Sequence, residues 1–377
     1  MNFKLSDKTV FAWHKWLGIF VGVFTLFLSI TGILLLFSDE IDAATAPELV
    51  KVTPAQKRFP LDSMLSTLKQ IYPQAILKET ILNTSHPDHA VVTEMTLNNE
   101  RQWVYWNPYT NQINGVRKSE ELFMENVLEW HEEFTAGEFG HLFLFVVGLA
   151  LLESVLSGLW YYRKSLLKVF KIGVRNRNTY LFNADLHKLI GVSSCLFLLL
   201  MGGTGTFFHW EKIERMLGEE GETPQPVEKS IMIPPPPVSR ITYSLDQFTG
   251  VAAQNIAGFI PELITYPQVD ESLSVSGDRS ESMRLLGEFN SSALFDSKSA
   301  ALKGITHRED GDLEQTMERS FEQLHYGQYG GIWSKIIYAF GLVFGYPFDY
   351  GIRYLAEKEV NWRINDVKGF VPLHTTL

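Results

Sequence analysis

Histidines recur in pairs along this 377-residue chain, and paired imidazoles are the side chains that most readily hold transition metals. His14-Lys15-x-x-Gly18 is matched by His187-Lys188-x-x-Gly191, and Thr31-Gly32 and Thr204-Gly205 follow at equal distance, giving H-K-x-x-G-x12-T-G twice. A looser echo sets Trp130-His131, Gly137 and Gly140 against Leu324-His325, Gly327 and Gly330. A lone histidine beside an apolar run is ordinarily an interfacial residue. Two at repeat-equivalent positions can face one axis from opposite sides at one depth, the arrangement that clamps an iron porphyrin between two neutral imidazoles. On that reading His14 and His187 form an inner pair and His131 and His325 an outer pair. His141 and His209 are the alternatives for the outer site. His187 and His209 lie 22 positions apart, about 33 Å along a helix at ~1.5 Å per residue, so they mark opposite membrane faces. Two stacked haems, one per leaflet, would give electrons a path across the bilayer.

Other chemistry is sparse. His86-x-x-His89 with Asp88 has the spacing of a metal pair but lacks further ligands. A single cysteine, Cys195, excludes a disulfide framework, a Cys-rich zinc site, a Cys-ligated iron–sulfur cluster and a C-x-x-C-H haem attachment. No G-x-G-x-x-G, P-loop or serine-hydrolase elbow occurs. A flavin or nicotinamide site is therefore not expected, and electrons would arrive from a quinol or a separate reductase. The net charge of −10 argues against nucleic acid as a partner.

The elements that must position the histidines are apolar runs. Leu17–Phe37 carries no charge and has the ~20-residue length that crosses a bilayer. Leu142–Tyr162 is interrupted only by Glu153, which inside a membrane is either functional or a paired structural carboxyl. Leu189–Phe208 is uncharged, and Ile332–Leu355 is a weaker fourth span. The first run exceeds the ~7–15 residues of a signal-peptide core, so it reads as an uncleaved anchor. Between spans two and three, Arg163, Lys164, Lys168, Lys171, Arg175, Arg177 and Lys188 face Asp185 alone. Residues 38–140 carry 8 basic and 16 acidic side chains, and residues 209–330 carry 10 and 20. The positive-inside rule then places both termini and the short loop in the cytoplasm, with lipid around the spans. In a bacterium this is a multi-pass inner-membrane protein whose soluble mass is periplasmic.

Each outer segment reads as a helix followed by strands. In the first, Leu61–Tyr72 has helical spacing, Ala90–Leu97, Gln102–Trp106 and Gln112–Val116 are strand-like, and Asn107–Asn111 is a turn. In the second, Pro234–Pro237 is a stiff linker and Leu245–Phe259 a helix. Strands follow near Ser272–Val275, Met283–Phe289 and Ala293–Phe295, with a turn at Asp296–Ser299. The expected fold is an α-helical membrane protein, a four-helix transmembrane bundle with a pseudo-two-fold repeat, plus two periplasmic α+β units. Its segments are the N-terminus and first span (1–37), outer unit one (38–130), span two (131–162), a basic loop (163–186) and span three (187–210). Outer unit two (211–324), span four (325–355) and a cytoplasmic tail (356–377) complete it.

The H-K-x-x-G…T-G helix, the helix–strand–Asn107-Pro-Tyr-Thr unit and Leu324-His-Tyr-Gly-Gln-Tyr-Gly330 together resemble the PepSY-associated transmembrane helix family, over nearly the whole chain. That family includes inner-membrane siderophore reductases of the FoxB type. The resemblance implies PepSY-like outer units, b-type haem held by His14, His131, His187 and His325, and reduction of ferric siderophore iron in the periplasm. Asp296-Ser-Lys-Ser departs from the form of the first turn, which suggests divergence toward substrate contact. The competing expectation is a non-enzymatic PepSY module that binds or regulates a peptidase or transporter. A siderophore permease is a third reading, disfavoured by the few polar groups within the spans.

Overall fold

The uncharged runs fold as long helices and the polar segments as one sheet. In the computed structural model, which describes residues 6–221, 235–268, 272–279, 289–311 and 313–344, the first half contains α1 (Asp7–Leu36), α2 (Ser38–Thr45), α3 (Pro47–Val50), α4 (Leu61–Ile71), β1 (Ile76–Ile81), β2 (Val91–Leu97), β3 (Glu100–Asn107), β4 (Gln112–Lys118), α5 (Phe123–Glu133), α6 (Glu138–Tyr162) and α7 (Lys168–Ile172). The second half contains α8 (Thr179–Gly221), α9 (Leu245–Asn255), β5 (Phe259–Thr265), β6 (Ser272–Arg279), β7 (Ser291–Asp296), β8 (Leu302–His307), α10 (Leu313–Tyr326) and α11 (Gly331–Phe344). These elements form two compact units. Among the described residues, one comprises 6–33, 130–219 and 333–344, and the other comprises those within 34–129 and 220–332.

In the helical unit, α1, α6 and α8 are each long and apolar enough to cross a membrane. The third is longer than the expected Leu189–Phe208, because the proline-free run from Thr179 to Gly221 continues as helix through its polar flanks. Of the expected fourth span, α11 covers residues 331–344 in 14 residues, and the rest lies outside the described residues. Helices α1 and α6 are antiparallel. Phe11 meets Tyr161 at one end (ring centroids 5.3 Å apart) and Phe24 meets Phe143 at the other (4.9 Å). Helix α8 runs antiparallel to α6, with Phe145 on Trp210 (5.9 Å), and receives Tyr338 of α11 on Phe197 (5.4 Å). In the basic loop Arg175 grips Asp185 with two bonds (2.6 and 2.8 Å), so the loop's single acid is neutralised locally.

The other unit is an eight-stranded antiparallel sheet ordered β4-β3-β2-β1-β5-β6-β7-β8. The sequence suggested two separate α+β units; instead the two repeats fuse where β1 pairs with β5, Thr80 opposite Ile264. Apart, each would leave an edge strand with unpaired backbone groups, and pairing them satisfies both. Strands β1, β5 and β8 escaped the sequence reading. Two charges interrupt β1, and Pro261 sits at a register shift in β5. The helix expected over Leu245–Phe259 stops at Asn255, and the chain is already in β5 at Phe259. The strand expected at Met283–Phe289 lies outside the described residues except for Phe289.

Helices α4 and α9 bury Met64, Leu65, Leu68, Leu245, Phe248 and Ala252 in one core with Val104, Trp106, Leu273 and Phe295. Phe248 and Phe295 stack at 4.9 Å; truncating a buried aromatic of this kind to alanine costs about 3–5 kcal/mol. On the sheet's first repeat a smaller cluster joins Val50 and Val52 to Trp103 and Tyr105. The two expected turns prove alike. Asn107 Oδ1 accepts from the Tyr109 and Thr110 amides, and Asp296 Oδ1 accepts from those of Lys298 and Ser299. Those bonds hold the Asp296 carboxyl down at about 2, so the divergent sequence preserves the turn.

Candidate functional site: histidine clusters of the helical unit

About five turns each of α1 and α8 carry the repeat, and its histidines meet. The rings of His14 and His187 lie 6.0 Å apart, centroid to centroid, inclined at 62°. His14 donates its Nδ1–H to the carbonyl oxygen of Ser154 on α6 (2.8 Å), with Ser157 Oγ at 3.4 Å from the same nitrogen. This bond sets the tautomer and leaves the lone pair on Nε2. Gly158 makes room: a Cβ there would stand 2.8 Å from His14 Cε1. The partners Ser154, Ser157 and Gly158 were not anticipated from the sequence, although Ser154 follows Glu153, the residue that was singled out. Glu153 itself is exposed.

His131 lies in the last turn of α5 rather than beginning a continuous second span. The chain turns sharply between α5 and α6, with positive φ at Phe134, Thr135 and Gly137. This break returns His131 to α1, where its Nδ1 lies 2.8 Å from the Thr31 hydroxyl. Thr31 is 3% exposed and belongs to the repeated Thr-Gly pair, so the sequence did carry a signal for it. Phe134 packs on Phe27 (5.1 Å) and closes the turn. Gly140 is needed where α5 and α6 cross, since a Cβ there would overlap the Glu133 carbonyl.

Further along α6, His141 faces His209 of α8. The two Nδ1 atoms are 3.4 Å apart, and Glu133 Oε2 lies 3.5 Å from His141 Nε2. Residues 11–346 match the family of PepSY-associated TM regions. The chain belongs to that family. The PepSY-associated region thus takes in all six histidines of the inner and outer sets, and no curated protein matches the chain.

The remaining candidates of this PepSY-associated chain belong to the sheet unit. His325 ends α10 in the sheet unit, its ring 6.2 Å from that of Tyr326. The weak metal pair His86 and His89 does come together, with ring centroids at 5.5 Å, but Asp88 beside it is committed to Lys51 (2.8 Å). An ammonium in that position opposes a bound cation. Among the described residues no group of three or more His, Cys, Asp or Glu side chains converges as a metal site.

Proposed function

We propose that this protein is a haem b-containing membrane reductase that passes electrons across the bilayer and reduces the iron of ferric siderophores on the outer side. The supporting observation is the His14–His187 pair. Two imidazoles sharing one metal ion, each bonded at about 2 Å and with about 1 Å from nitrogen to ring centre, would have ring centres no more than about 6 Å apart. The observed 6.0 Å suits that arrangement, and the Ser154 carbonyl fixes His14 with Nε2 bare, as a ligand must be. When bound, a bis-imidazole haem supplies one-electron transfer at a potential set by its ligands and burial. His14 and His187 would hold the iron, while Ser154 and Ser157 orient His14 and Gly158 gives its ring space.

His131, whose Nδ1 is held by the Thr31 hydroxyl, would supply an imidazole to a second haem. The electron donor is a quinol or a separate reductase, the fourth span is the apolar run Ile332–Leu355, and the charge pattern of the loops puts both termini in the cytoplasm of an inner-membrane protein. Reduction releases iron because Fe(II) is softer and less charged than Fe(III), and hard oxygen chelates hold it weakly.

The test is direct. Purified full-length protein should show reduced-minus-oxidised α and Soret bands. After anaerobic reduction it should be reoxidised by a ferric siderophore, with Fe(II) trapped by a ferrous chelator. Protein that stays colourless after expression with ample haem would overturn the reading in favour of a PepSY module that binds or regulates a partner.

A further inference from the structure

His141 and His209 are too close for the role proposed for His14 and His187. Ligands on opposite sides of one metal, at about 2.0–2.1 Å each, stand about 4 Å apart nitrogen to nitrogen; ligands meeting at a tetrahedral angle stand about 3.3–3.4 Å apart. The Nδ1 atoms of His141 and His209 are separated by 3.4 Å. That distance is also long for a hydrogen bond between ring nitrogens, which prefers roughly 2.7–3.2 Å.

The surroundings select which nitrogen is bare. Glu133 Oε2 faces His141 Nε2 at 3.5 Å, which favours the proton on Nε2 and leaves the lone pair on Nδ1, toward His209. A carboxylate behind a histidine whose other nitrogen faces a second imidazole is the outer shell that metal-ligating histidines use. Gly140 lets the Glu133 backbone approach α6, so the carboxylate's placement is built into the helix crossing.

We propose that His141 and His209 bind a divalent transition-metal ion through their Nδ1 atoms, with Glu133 as the positioning residue behind His141. Imidazole nitrogen suits Fe(II), Zn(II) and Cu(II) and disfavours Mg(II) and Ca(II). Two protein ligands leave two positions for water or for donors brought by a ligand, so the ion is exchangeable. The inference stands on the geometry of this cluster and is independent of the electron-transfer reading.

The experiment uses full-length protein carrying His89→Ala, which removes the His86–His89 loop as a competing binder, with Zn(II) as the probe. Calorimetric titration should give one saturable site, and zinc-edge X-ray absorption should show imidazole scattering at about 2.0 Å. His141→Ala and His209→Ala should each weaken binding by at least about 100-fold, and Glu133→Gln by about 10-fold, the range seen when outer-shell partners are removed. Haem per protein, measured on the same samples, should be unchanged. Absence of a saturable site, a spectrum without imidazole, or unaltered binding in His209→Ala would overturn the proposal in favour of a proton shared between the rings. Loss of haem in His141→Ala or His209→Ala would overturn it too, by making these residues axial ligands, while leaving the haem reading intact.

Discussion

Asp62 and Asp246 cap each other's helices. Asp62, in the first turn of α4, accepts from the Leu245 amide (2.7 Å) and the Ser244 hydroxyl at the start of α9. Asp246, in the first turn of α9, accepts from the amides of Leu61 and Asp62 (3.0 and 2.9 Å). The exchange satisfies amides that a helix start leaves open and places a negative charge near each positive helix end. It also ties the two halves of the repeat together on the helical side, as the β1–β5 pairing does within the sheet.

Removing either carboxylate should therefore destabilise the sheet unit. Asp62→Ala and Asp246→Ala are each expected to cost about 0.5–2 kcal/mol, the range for lost caps. Asp246→Asn, which keeps one acceptor, should cost less. Thermal unfolding of the full chain, followed by tryptophan fluorescence, checks this; wild-type stability in both alanine variants would contradict it.

Glu79 gives the fold a pH dependence. Burial raises its pKa above the ordinary 4.5, and the neighbouring Glu94 raises it further, against a smaller pull from Arg101 and Lys78. A carboxyl with a raised folded pKa favours the fold fully below its unfolded value, and that contribution is lost as pH rises through the folded value. Glu79→Gln should thus raise the melting temperature at pH 7, with the difference shrinking as pH falls toward 4.5. A lower melting temperature for the variant at pH 7 would contradict the assignment.

The turns, the first helix and most strands of the sheet unit were legible because they rest on local chemistry. Asn107 and Asp296 cap their own turns, and Leu61 to Leu68 repeats at helical spacing. The fused sheet was not legible, because the β1–β5 register lies between residues more than 180 positions apart and Pro261 disguises β5. In the helical unit the repeat brought out His14 and His187. It could not show that Ser154, on a helix outside the repeated motif, supplies the carbonyl that orients His14.

Topology offers an independent check. A reporter fused after Lys171 should work only as a cytoplasmic marker, and one inserted near Asn98 only as a periplasmic marker, because positive charge is concentrated in the short loop. The reverse pattern would place substrate reduction on the wrong side.

Gly158 tests the setting of His14 without touching a ligand. Gly158→Ala should displace the His14 ring, since the new Cβ would stand 2.8 Å from Cε1. The expected result is a shifted midpoint potential or partial loss of one haem, with the thermal unfolding of the sheet unit unchanged. Unaltered haem spectra and potential would show that the ring has room to spare.

The central claim is the inner pair, and haem content reads it most directly. Purified wild-type protein, His14→Ala and His187→Ala should be compared by pyridine haemochrome against protein concentration. Each variant should lose the same one of two haems, because an axial pair fails when either imidazole is removed. Full haem content and unchanged spectra in both variants would contradict the account.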